Sequence, residues 1–102
     1  MSPPEKLSPA QIDSAVRSLP GWSVQGGKLR REFRFRTFVE AFGFMTQVAL
    51  LAESKNHHPE WWNTYNRVTI ELTTHESDGI TARDVDLAGR ISELVAGFLP
   101  RT

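Results

Sequence analysis

Three histidines are the residues of this chain best suited to proton chemistry. His57 and His58 are adjacent within NHHPEWWN, Asn56 to Asn63, and His75 sits in TTHESDG, Thr73 to Gly79. An unperturbed imidazole changes charge near neutral pH, so it can take up or deliver a proton under ordinary conditions. Glu53 stands four residues before His57, which makes the two neighbours on one face if a helix runs that far. Glu76 and Asp78 flank His75, with Asp84 a short way further on. Trp61 and Trp62 add flat apolar surface on which a ring could stack.

The pattern alone leaves three readings open. The histidines can be surface or hydrogen-bonding groups with no chemistry. Their number matches a three-histidine metal site, but a His-His step sits badly with the i,i+3 or i,i+4 spacing that converges on one ion. The third reading is a metal-free acid–base site, with carboxylates orienting the imidazoles and tryptophans holding a small heterocycle. There is no cysteine, which removes disulfides, thiolate zinc sites and cysteine nucleophiles. No glycine-rich phosphate loop or nucleophile-elbow motif is present.

The elements that must position these residues follow from capping and periodicity. A chain of 102 residues supports a single domain, 1–102, whose first seven residues are expected to be loose. SPAQIDSAVRSLPG reads as a helix capped by Ser8, with Pro9 in the first position, Gln11 completing a capping box, and Ile12, Ala15, Val16 and Leu19 as its stripe. WSVQGGKLRREFRFR reads as a hairpin turning at Gly26-Gly27, one face charged and the other carrying Leu29, Arg31, Phe33 and Phe35. TFVEAFGFMTQVALLAESKN reads as a long helix opened by a Thr37–Glu40 capping box. Its expected buried stripe is Phe38, Ala41, Phe42, Met45, Val48, Ala49 and Ala52, leaving Phe44 and Leu51 as spare apolar surface for self-association. EWWNTYNRVTIELTT reads as a second hairpin with Val68, Ile70 and Leu72 facing the core; of Trp61 and Trp62, one is core and the other lines a pocket or interface. The last helix opens at a Thr81–Asp84 capping box, buries Leu87, Ile91, Leu94, Val95 and Phe98, and stops at Pro100. The order α-β-β-α-β-β-α predicts an α+β, two-layer domain: a four-stranded antiparallel sheet covered on one face by three helices.

Twelve basic and twelve acidic residues cancel, which gives no electrostatic case for nucleic acid or an anionic membrane as a partner. No stretch approaches the ~18 apolar residues of a membrane span, and MSPPEKLSP lacks a signal-peptide pattern, so a cytoplasmic protein is expected.

The sequence also resembles the pterin-4a-carbinolamine dehydratases over most of its length, from LPGW at Leu19 to LAGRI at Ile91. The resemblance rests on FRFRTFVEAFGFMTQVALLAE, NHHPEWWNTYNRVTIELTTHE and GITARDVDLA, and most specifically on the ordered set Glu53, His57, His58, Pro59, Tyr65, His75 and Asp84. It implies dehydration of 4a-hydroxytetrahydropterin to quinonoid dihydropterin, recycling the cofactor of aromatic amino-acid hydroxylases, with no metal and no cofactor besides the pterin substrate. It implies His57, His58 and His75 as catalytic residues. Pro59 and Thr74, His75, Glu76 and Ser77 would border the pterin alongside His57 and His58, with Glu53, Trp61 and Asp84 in support. Of the histidines, His57 and His75 are expected to be the acid–base pair and His58 to position the pterin. A homodimer or homotetramer is implied, with a hydroxylase or regulatory protein as further partner. The alternative function is a non-catalytic or bifunctional protein-binding module, since members of the family also serve as dimerisation cofactors. One departure stands out: Ser77-Asp78-Gly79 replaces the small-glycine pair common in the family, and places an acidic residue where a left-handed conformation is expected.

Overall fold

Caps expected from the sequence start two of the three helices as full capping boxes. The computed structural model describes residues 2–98. In α1 (Pro9–Arg17), Ser8 Oγ accepts from the Gln11 N–H at 3.2 Å, and Gln11 Oε1 accepts from the Ser8 N–H at 2.8 Å. In α3 (Ala82–Val95), the Asp84 carboxylate reaches back to the Thr81 N–H at 2.8 Å. The box expected at α2 (Phe38–Lys55) is only half formed. Thr37 accepts from the Glu40 N–H, but the Glu40 carboxylate goes to the Arg36 N–H and guanidinium instead. A charged partner one residue upstream outcompetes a neutral amide, and it holds the Glu40 carboxyl below the usual carboxylate range.

The strands are β1 (Ser23–Gln25), β2 (Lys28–Arg34), β3 (Glu60–Thr64) and β4 (Arg67–Leu72), all antiparallel, in the order β1-β2-β4-β3. Gly26 and Gly27 turn the first hairpin at φ +59° and +76°, a conformation that residues with a Cβ rarely adopt. The inner face carries Leu29, Phe33, Val68, Ile70 and Leu72, all buried beneath Phe44, Val48, Leu87 and Ile91 of the helices. The fold is therefore the expected α+β layer of helices on a four-stranded sheet. No described helix is long and apolar enough to cross a membrane.

Arg31 lies among these inner-face residues. Its guanidinium covers the Phe33 ring at 4.5 Å and donates to Ser92 Oγ at 3.2 Å, while burial pushes its pKa down. Gly21, at φ +89°, makes room for it, because a Cβ there would lie 2.7 Å from Arg31 Nε.

The stripe expected on α2 is rotated from the one that packs. Ala41, Phe44, Val48 and Ala52 are buried and Leu51 packs against the core, whereas Phe38, Phe42 and Ala49 are exposed. Phe44 meets Phe33 and Phe35 at ring-centroid distances of 4.9 and 5.0 Å. The spare apolar surface is therefore not Phe44 and Leu51 but Phe38, Val39, Phe42 and Leu50. A helix apolar on most of its circumference satisfies several stripes equally well, and only the shape of the sheet beneath selects one.

In α3, Leu87, Ile91 and Val95 are buried as expected, and Leu94 packs against the core. Phe98, in a short 3-10 turn Ala96–Phe98, meets Phe35 and Phe44; the expected stop at Pro100 lies outside the described residues. Residues 4–7, in the stretch expected to be loose, make specific contacts. Leu7 N–H donates to the Ile80 carbonyl at 2.9 Å, Lys6 bridges Thr81, and the Ser77 hydroxyl donates to the Pro4 carbonyl.

Candidate active site

The pairing register gathers the histidines at one end of the sheet. The start of β3, the end of β4 and the start of β2 lie together there, because Glu60 opposes Glu71 and Leu29 opposes Leu72. The C-terminus of α2 leads into this end and the N-terminus of α3 leads away from it.

Each histidine meets a carboxylate through Nε2. His57 Nε2 is 2.6 Å from Asp84 Oδ1, His58 Nε2 is 2.8 Å from Glu53 Oε1, and His75 Nε2 is 2.9 Å from Glu60 Oε2. A carboxylate only accepts, so the neutral His57 and His58 rings, which hydrogen-bond through Nε2, are assigned as Nε2–H tautomers with a lone pair left on Nδ1; the His75–Glu60 approach is an ion-pair contact.

The environments of the three differ. The His57 side chain is 10% exposed and Asp84 is fully buried, whereas the His58 and His75 side chains are 57% and 76% exposed. Asp84 Oδ2 accepts from the Thr81 N–H and the Thr74 hydroxyl, both at 2.8 Å. Thr81 Oγ1 accepts from the Arg83 N–H and lies 2.7 Å from Thr74 Oγ1. Since Thr74 spends its proton on Asp84, Thr81 must donate to Thr74, and every polar atom of this buried network is satisfied.

The expected partners are exchanged. Glu53 serves His58 rather than His57, and Asp84 serves His57 rather than His75. The cause is Asn56, whose left-handed conformation (φ +49°) ends α2 at Lys55, so that residue 57 is no longer on the helix face. His57 then turns under α3, and His58 folds back on the last turn of α2. His75 opens a single 3-10 turn, His75–Ser77, closed by a Thr74–Gly79 bridge. Asp78 adopts the left-handed conformation expected of it, at φ +55°. Glu76 points to Arg83, 3.6 Å away, and not to His75.

Other expected site residues are placed less directly. Thr74 is buried with its hydroxyl committed to the network, Ser77 is half-buried against Pro4, and Pro59 is half-buried between His58 and β3. Trp61 packs on the core, while Trp62 is exposed on the opposite face with the Arg30 guanidinium 5.2 Å from its ring. Tyr65 sits at the β3–β4 turn, at the other end of that hairpin from the histidines. Grooves of about 440 Å³ beside α1 and β1 and about 230 Å³ on the outer sheet face include none of the three histidines. Among the described residues, no group of three or more His, Asp and Glu side chains is placed to hold a metal ion.

Two residues not anticipated from the sequence also belong here. Glu60 binds His75 through one carboxylate oxygen and the Lys28 ammonium through the other. Both are the first residues of strands, and strand order alone brings them together.

Comparison with known proteins gives this arrangement a family. The profile described as pterin 4 alpha carbinolamine dehydratase matches residues 5–94. The chain belongs to that family. Provisionally named pterin-4-alpha-carbinolamine dehydratases of Solibacter usitatus and Prochlorococcus marinus (strain MIT 9303) are 56% and 57% identical to it, over 90% and 89% of this chain and 97% and 95% of theirs. The crystal structure of a transcriptional coactivator/pterin dehydratase from Brucella melitensis matches with a TM-score of 0.85 and 42% identity, over 88% of this chain and 98% of that one. All three histidines and Asp84 fall within the stretch matched to the pterin-4a-carbinolamine dehydratase family.

Proposed function

We propose that the chain dehydrates 4a-hydroxytetrahydropterin to quinonoid dihydropterin by histidine acid–base chemistry without a metal, and so serves the recycling of a hydroxylase cofactor. The observation that carries this reading is the set of three carboxylate-paired imidazoles at one end of the sheet. In the reaction the C4a–oxygen bond breaks as a proton reaches the departing hydroxyl. The proton on the neighbouring ring nitrogen leaves, and its electron pair forms the new carbon–nitrogen double bond. One neutral imidazole accepting at Nδ1 and one imidazolium donating from Nδ1 meet both needs. His57, rigid and shielded, suits the base; His75, on a loop and open to solvent, suits the acid; His58 suits substrate positioning. Stopped-flow measurement should show dehydration well above the buffer rate, and no acceleration by folded protein would overturn the reading. Activity should survive a chelator, and metal analysis should give zinc and iron well below one ion per chain.

A second, protein-binding role is favoured by one feature, the exposed apolar face of α2 with Phe38, Val39, Phe42 and Leu50. It is supported by the coactivator description carried by the Brucella melitensis protein. Self-association through the same face is expected. Sedimentation at micromolar concentration should give a species larger than a monomer, shifted toward monomer by Phe42→Asp; a wild-type chain that sediments only as monomer would contradict it.

A further inference from the structure

Glu60 and Glu71 are directly opposed across β3 and β4, and like charges so placed destabilise a sheet. Each has its own cation. Arg30 Nη1 lies 2.9 Å from Glu71 Oε2, and Lys28 Nζ lies 2.5 Å from Glu60 Oε1. Both members of the Lys28–Glu60 pair are about one-third exposed, and bridges of that kind contribute little to stability. Relieving the repulsion is a modest stabilising role for Lys28, and it does not require Glu60 to reach His75 as well.

The geometry offers another reason. A glutamate side chain at a sheet end has three torsions and water to turn toward. Lys28 anchors one of its oxygens, and the other then faces His75 Nε2 at 2.9 Å. The ring is otherwise loosely held, since it is 76% exposed and stands on a short loop. We propose that Lys28 and Glu60 are positioning residues for His75, the ammonium holding the carboxylate so that it fixes both the ring's orientation and its Nε2–H tautomer. Nδ1 is then the atom turned to substrate; this last step rests on the dehydratase reading above. The Lys28 hydrogen bond also holds the Glu60 carboxyl below the usual carboxylate range, so it accepts throughout the range where imidazoles titrate.

The test uses the full chain labelled with ¹⁵N-histidine, with imidazole nitrogen shifts read in alkaline solution where the rings are neutral. In Glu60→Gln the Lys28 ammonium must take the amide oxygen, which turns the amide NH₂ toward His75. His75 Nε2 then has to accept, and the expected result is a shift of His75 toward the Nδ1–H tautomer. Adding Lys28→Met frees the amide to turn its oxygen to His75 and should reverse that shift. In the dehydration assay, Glu60→Gln should lower kcat by about 10-fold with little change in KM. Lys28→Met should follow in the same direction, and Lys28→Arg should restore most of the rate. An unchanged His75 tautomer in Glu60→Gln, or a shift that Lys28→Met fails to reverse, overturns the proposal. A wild-type chain without dehydratase activity would overturn the functional reading instead, and the tautomer measurement would still decide the positioning role.

Discussion

Asp84→Asn is expected to lower kcat by about 10²- to 10⁴-fold while the protein stays folded. The size follows from how tightly the buried network dictates the orientation of the new amide. Thr81 N–H and the Thr74 hydroxyl both donate to Asp84 Oδ2, so the asparagine oxygen must occupy that position. Its NH₂ then takes the place of Oδ1 and presents a donor to His57 Nε2, where a carboxylate had accepted at 2.6 Å. The neutral ring is forced into the Nδ1–H tautomer, and Nδ1, the nitrogen that accepts the proton in the proposed mechanism, loses its lone pair. Volume and packing scarcely change, so the melting temperature should fall only modestly and KM should stay within a few-fold. His57→Ala should reach a comparable loss, and the double variant should be little worse than either single one, because in the proposed mechanism both remove the same proton acceptor. Full kcat in Asp84→Asn would remove His57 from the chemistry. By contrast, His58→Ala should raise KM more than it lowers kcat, since His58 is exposed and paired with an exposed glutamate.

How far the site was legible in the sequence depended on distance along the chain. Capping residues act over three positions and turn glycines over two, which is why Ser8, Thr81, Gly26 and Gly27 could be placed from the sequence. The histidines were recognisable as a group for the same reason, since their type and spacing are local facts. Their carboxylate partners were not. Glu53 and His57 pair only if helix runs through residue 57, and the left-handed turn at Asn56 ends it before that. Linking Lys28 to Glu60 required knowing that β4 lies between β2 and β3, which hairpin patterns do not contain. Asp84 shows a residue doing two jobs of which one was legible: the capping box is written in the spacing, while the bond to His57 spans 27 positions and is not.

Phe44→Ala is expected to destabilise the protein by about 3–5 kcal/mol, the usual range for emptying a phenylalanine site in a packed core. The ring is 0% exposed and meets three other phenylalanines, with centroids 4.9, 5.0 and 5.8 Å away. Phe33 and Phe35 stand on or just beyond β2, within a sheet whose hydrogen bonds hold them apart, so the cavity cannot readily collapse. For a domain of this size each kcal/mol lowers the melting temperature by roughly 4–8 °C, so a fall of more than ~10 °C should be seen. Against a total stability of about 5–15 kcal/mol, the variant would stand near the limit of folding. Phe42→Ala removes an identical ring two residues away, from a side chain that is 55% exposed. It should change stability by only about 0.5 kcal/mol when both variants are compared as monomers. The periodicity of the sequence alone favoured the opposite ranking, with Phe42 on the buried stripe and Phe44 off it. A larger loss for Phe42→Ala than for Phe44→Ala would restore that stripe and show that α2 packs on the sheet by a different face.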